Sequence, residues 1–215
     1  MVQLDGRPLK TPAKTTLAVP SADLAELVRA EWAAVETEVD PLALPYTRLC
    51  NAAIDKVVPQ KAEIVGMLAE YGETDLICYR ADSPEALIAR QNAAWDPVLT
   101  WMRGTHGLRF HCVAGVMATE QPAESLEALR GWLGAQGPFG LMALHDLITI
   151  SGSVLLARAV ADGFLDADAG WAASRVDETF QEEQWGTDSL AQASARAKAE
   201  EFARAARLWE MVRHA

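Results

Sequence analysis

Cysteine is scarce: Cys50, Cys78 and Cys112 are the only three in 215 residues and stand far apart. That spacing excludes a disulfide framework and any C-x-x-C redox or zinc motif. The thiols read as small buried hydrophobes of a protein from a reducing compartment. Proline is missing after Pro138; all ten lie at or before it, five of them within the first 45 residues. Positive charge is the minority sign, with 19 Lys and Arg against 30 Asp and Glu, a net charge of −11. Such a chain repels phosphate backbones and anionic headgroups, so nucleic acid and membrane surfaces are poor partners unless a basic patch exists. The densest linear run of cations is the diluted Arg196, Lys198, Arg204 and Arg207 series, which is not one. Long hydrophobic runs are missing as well. Leu147 to Ala157 is an uncharged stretch of 11 residues, well short of the roughly 18 that span a bilayer. No signal peptide opens the chain, and a cytoplasmic location is expected.

What is present suits an ordinary globular protein of one or two domains, with 50% apolar and 23% charged residues. Val2 to Leu9 places apolar residues around Asp5-Gly6, which predicts a hairpin. A turn at Thr11-Pro12-Ala13-Lys14 leads to a short strand, Leu17-Ala18-Val19. Ser21 is positioned to cap a helix with Leu24, Leu27, Val28, Trp32 and Val35 on its apolar stripe, stopping before Asp40-Pro41. Thr47 is expected to cap a helix over 49–58, and Pro59 to open one over 60–71 that ends at Gly72. Ser83-Pro84 starts a further helix, and Asp96-Pro97 a turn carrying Val98, Leu99, Trp101 and Met102. Leu108 to Val113 alternates and is expected to return to the N-terminal sheet. Helices should follow over about 123–134, 139–162, 167–185 and 188–213. The fold class is α+β. A small β-containing domain, 1–46, joined by strand 107–114, precedes a larger all-α domain, 47–215.

Chemistry-bearing patterns are few. His145-Asp146 matches the adjacent pair of metal phosphohydrolases, but His106, His111 and His214 sit in a turn, a strand and a terminus. No metal site is expected. Ser151-Gly152-Ser153 is read as a small-residue stretch inside an apolar helix, permitting close packing. Gly131, Gly134, Gly137 and Gly140 follow no strand and make no phosphate loop. The richest constellation lies at 166–188, with seven acids against one base. Glu178 and Glu182 are four apart, a like-charge pair on one helix face. A solvated acidic face and a docking surface anchored by Trp185 are both open readings, with paired-carboxylate catalysis third. Trp32 and Trp209 fall on apolar stripes and are expected in the core; Trp95 and Trp185 are expected at a surface or between domains.

Several segments share an order with a known family. They are Leu4-Asp5-Gly6-Arg7-Pro8-Leu9-Lys10-Thr11-Pro12, Ala30-Glu31-Trp32, Pro45 to Asp55 (PYTRLCNAAID) and Tyr71 to Ala81 (YGETDLICYRA). They continue with Gln91 and Trp95-Asp96-Pro97, then Ser151-Gly152-Ser153, then Asp177-Glu178 with Gln181, Glu183-Gln184-Trp185-Gly186 and Asp188. Together these resemble the assembly chaperone for the α subunit of the F-type ATP synthase catalytic head, found in mitochondria and α-proteobacteria. The resemblance runs from residue 2 over practically the whole chain. It implies a small α+β part and a helical part, no ATPase or other enzymatic activity and no cofactor. It also implies one partner, the free α subunit, whose aggregation-prone interface is covered until the β subunit replaces the chaperone.

In this family an acid of the DE-x-x-Q segment is associated with function, which here falls on Asp177 or Glu178, with Asp177 favoured. The expected partner-binding set is Asp177, Glu178, Gln181, Glu182 and Trp185. Trp32, in the matching Glu-Trp motif, is expected to be structural. The family pattern has a strand-forming segment before Leu4-Asp5-Gly6-Arg7 that is not found here, so a shortened N-terminal sheet is expected. A monomer is expected, in the bacterial cytoplasm or, for a processed organellar homologue, the mitochondrial matrix. The competing expectations are a hydrolase using His145-Asp146 or the 177–183 acids, and a general holdase or scaffold.

Overall fold

The computed structural model describes residues 2–4, 6–115, 117 and 119–214. Strands β1 (Gln3–Leu4) and β2 (Arg7–Pro8) pair antiparallel, Gln3 opposite Pro8. Gly6 turns between them with φ +75°, a conformation that suits a residue without Cβ; Asp5, the other half of the expected turn, lies outside the described residues. Leu17 closes this patch, exchanging backbone hydrogen bonds with Val2 and Leu9. The elements that follow are helices but for two short strands: α1 (Ala22–Ala33), α2 (Pro45–Ala52), α3 (Val58–Glu70), β3 (Tyr79–Arg80), α4 (Glu85–His106), β4 (Val113–Ala114), α5 (Ala123–Gly134) and α6 (Pro138–Ser151). Then come α7 (Val154–Ala161), α8 (Ala167–Ser174), α9 (Val176–Trp185) and α10 (Ser189–Val212).

The core is centred on α6, where Leu141, Ala143, Leu144, Leu147 and Ile148 are all fully buried. Its main neighbour is α10, which contributes Phe202, Ala205, Leu208 and Trp209. Gly140 makes the approach possible: a Cβ there would lie 3.3 Å from the Trp209 ring. One buried cluster runs from Val2 and Leu17 through Leu24 and Val28 to α6, α7 and α10.

Several expected elements differ in detail. Residues 108–112 do not return to the N-terminal sheet. Their backbone is held by side chains instead: Gln121 accepts from His111 N at 2.8 Å and donates to His111 O at 2.9 Å. Ser125 does the same for Arg109. Only Val113–Ala114 is left to pair, and it joins Tyr79–Arg80 in parallel. Pro97 begins no turn; it lies inside the 22-residue α4. Burial of Gln91, Trp95, Val98 and Met102 on one face of α4 outweighs the lost backbone bond. The helix expected over 139–162 breaks at Gly152, φ +71°, and Ser153 caps the next helix through Leu156 N. The one expected over 167–185 breaks at Arg175. Helix α2 starts at Pro45, before Thr47, and reaches α3 through a π-helical turn, Ala53–Val57, just ahead of Pro59, which has no N–H to donate.

Candidate functional site

Most side chains of the shared motifs tie elements of this chain to one another. Glu31 reaches from α1 to the start of α2, accepting from Tyr46 N at 2.6 Å, Thr47 N at 2.8 Å and Thr47 Oγ1 at 2.7 Å. It supplies the N-terminal acceptor that Leu44, apolar at the cap position, does not. Asp55 accepts from Thr11 Oγ1 at 2.7 Å and Ala13 N at 3.0 Å, holding the first loop against the helices. Asp75 is wholly buried and accepts from Ser153 Oγ, Leu155 N and Ile77 N, so the Ser-Gly-Ser break is clamped by the 71–81 segment. Trp95 is buried at 1% exposure rather than at a surface, its indole donating to Ala173 O at 2.7 Å. Trp209 is core as expected, and Trp32 is half-buried.

The remaining motif residues gather on α9. Its residues 177, 178, 181, 182 and 185 form one stripe, because positions three and four apart share a helix face. Phe180 points the other way and is buried. Asp177 is half-buried and accepts from Gln91 Nε2 at 2.7 Å; Gln91 itself is 1% exposed and its oxygen takes Ala81 N at 2.8 Å. Glu182 pairs with Arg175 at 2.6 Å. Glu183 pairs with Arg90 of α4 at 2.6 Å, and that guanidinium lies over the Phe180 ring. Glu178 and Gln181 are exposed, and Glu178 forms no ion pair among the described residues. Trp185 ends the stripe at 80% exposure, followed by Leu190 at 78%. Asp177 and Glu178 also sit in the first turn, where the helix dipole favours anions. The acidic helix is therefore held by Gln91, Arg90 and Arg175 and presents an anion and an indole outward. Arg90 was not legible: it meets Glu183 across 93 residues of chain.

His145 Nδ1 faces the carboxylate of its neighbour Asp146 at 2.9 Å, and among the described residues no three His, Cys, Asp or Glu side chains cluster. The cysteines differ sharply. Burial pushes the Cys50 thiol up to about 12. Cys78 and Cys112 sit one residue before the paired Tyr79 and Val113; the neighbouring Cys78 thiol and the Arg80 guanidinium hold Cys112 below the usual range, while the Cys112 thiol and burial hold Cys78 above it. At pH 7, iodoacetamide should modify Cys112 first and about threefold faster than free cysteine, since the thiolate is the nucleophile and its lower basicity offsets part of the larger thiolate fraction. Peptide mapping after timed quenching checks this; a slower Cys112 would overturn it.

The helical scaffold, whose shared motifs hold its own elements together, leaves an anionic helix face and a bare indole outward. The ATP12 chaperone protein family matches residues 1–103. The mitochondrial protein atp12 of Schizosaccharomyces pombe is 27% identical over 199 residues, 87% of this chain and 68% of that protein. The crystal structure of Atp12 from Paracoccus denitrificans matches with a TM-score of 0.94 at 42% identity, over 97% of this chain and 90% of that one. A structure of the same bacterial protein with an aspartate replaced by lysine matches equally well, TM-score 0.94 at 42% identity, over 97% and 89%. The chain belongs to the ATP12 chaperone family, and its relatives there are described as chaperones, not enzymes.

Proposed function

We propose that this protein binds the free α subunit of the F-type ATP synthase head and shields its subunit interface until the β subunit replaces it. Docking uses the α9 stripe: Glu178, Gln181 and Trp185 touch the client, while Asp177 and Glu182 hold and charge the face. Exposed oligomer interfaces are apolar and aggregate, and reversible cover needs binding rather than turnover. The observation that carries this reading is an 80% exposed tryptophan at the end of an acidic stripe in a member of the ATP12 chaperone family. Large exposed aromatics are costly on a free monomer and serve as anchors when covered. The protein acts as a monomer in the bacterial cytoplasm or the mitochondrial matrix. Among the described residues no helix is long and apolar enough to cross a membrane.

The test is a calorimetric titration with isolated α subunit, with β subunit and an unrelated aggregation-prone protein as controls. A one-to-one complex with α alone is expected. Trp185→Ala combined with Glu178→Lys should weaken it about thirtyfold or more, the size of a hot-spot loss. The thermal midpoint should barely move, because neither side chain is buried or ion-paired. Asp177→Asn is the informative companion: asparagine still accepts from Gln91, so any binding loss reports the charge. Equal suppression of aggregation of the unrelated protein would favour a general holdase, and unchanged binding by the double variant would remove α9 from the interface.

A further inference from the structure

A cleft of about 860 Å³ opens between the 10–12 loop, the 39–45 segment, α2, α6 and α10. Its apolar lining includes Leu44, Leu49, Met142 and Ile150, with Val39 at the lip 52% exposed. Four cations line it: Lys10 from the loop, Arg48 from α2, Lys56 from the π-helical turn and Arg204 from α10. None of the four forms an ion pair among the described residues. Two of the three acids in the lining are occupied, Asp55 by Thr11 and Ala13, Asp146 by His145; Glu201 is the third. Four cations against three acids leave this lining with a formal charge of +1 around an apolar floor, on a chain whose net charge is −11. Two further groups bear on the occupant. Trp32 and Asn51 also line the cleft, and the buried Trp32 indole N–H and Asn51 amide oxygen have no hydrogen-bond partner among the described residues.

We infer that this cleft is a second docking site, which takes an extended segment of the client carrying carboxylates among apolar side chains. An extended backbone offers free C=O and N–H groups to Trp32 and Asn51 once their side chains turn into the cleft, whereas a helix spends its own internally. The client's carboxylates meet the four cations and its apolar side chains cover the floor. The inference rests on the reading of the protein as an α-subunit chaperone. It adds a second contact, so that client is gripped by an anionic stripe at one place and a cation-lined cleft at another.

The test compares wild type, the cleft variant Lys10→Glu/Arg48→Glu/Arg204→Glu and Trp185→Ala in titrations with isolated α subunit at low and moderate salt. The cleft variant should bind about tenfold more weakly at low salt and lose much of the salt dependence, as expected where complementary charge is removed. Trp185→Ala should keep the salt dependence. Overlapping synthetic peptides spanning the α sequence, read by fluorescence anisotropy, should yield acidic-apolar peptides that bind wild type and not the cleft variant. If charge reversal disturbs folding, the triple alanine variant serves, with the salt dependence as its readout. Wild-type binding to α with an unaffected cleft variant overturns this inference alone. Absence of any wild-type complex overturns the chaperone reading and the inference with it.

Discussion

Asp75→Ala should lower the unfolding free energy by about 3–5 kcal/mol, the largest single-residue effect expected in this protein. Asp75 is fully buried, accepting from Ser153 Oγ at 2.6 Å, Leu155 N at 3.0 Å and Ile77 N at 3.2 Å. Alanine strands all three donors out of reach of water, at about 1–3 kcal/mol for each group left unsatisfied. It also unfastens the start of α7 from the turn at Leu76–Cys78. Burial raises the Asp75 carboxyl to about 6, against the lowering effect of the hydrogen bonds from Ser153, Leu155 and Ile77. A folded-state value above the unfolded one means the folded protein binds this proton more tightly. That stabilisation is fully present below about pH 4 and is lost as pH rises through about 6. Wild type should therefore gain on Asp75→Ala, by up to about 3 kcal/mol, on going from pH 7 to pH 4. Denaturant titrations of both proteins across that range check it. The opposite slope would mean that hydrogen bonding, not burial, dominates at this carboxylate.

Glu31→Ala should cost about 2 kcal/mol, at the upper end of helix-cap losses. One carboxylate satisfies two amides at the start of α2 and the hydroxyl of Thr47, which is only 4% exposed. No side chain next to these groups in sequence replaces it, since Leu44 occupies the cap position and Pro45 the first turn. Glu31→Gln should recover part of the loss: its amide oxygen still accepts, but its NH2 faces a donor. Hydrogen exchange adds a spatial readout, because amides of α2 should lose protection before those of α6. Uniform loss across both helices would show Glu31 to act on global stability rather than on this cap.

Asp75 and Glu31 illustrate what the shared motifs encode. Each was visible as a motif residue, yet its work was not, because its partners lie across the chain, Ser153 being 78 residues from Asp75 and Thr47 being 16 from Glu31. The acidic stripe was legible because helical spacing alone puts 177, 178, 181, 182 and 185 on one face. Which acids are free was not legible. That depends on Gln91, Arg90 and Arg175, which engage Asp177, Glu183 and Glu182 and leave Glu178 outward. Trp95 was misplaced because acidic neighbours in sequence say nothing of the Ala173 carbonyl its indole meets in the fold.

The sequence by itself determined the helical character, the cap at Ser21, a surface place for Trp185 and the family, because periodicity, turn chemistry and motif order are local or linear properties. Tertiary structure decided the pairing of Val113–Ala114 with Tyr79–Arg80, since backbone groups at 109 and 111 are taken by Ser125 and Gln121. It also decided the convergence of Lys10, Arg48, Lys56 and Arg204 on one cleft. Electrostatic sign at a surface is a sum over neighbours in space, and four cations separated by up to most of the chain become one site only when packing brings their elements together.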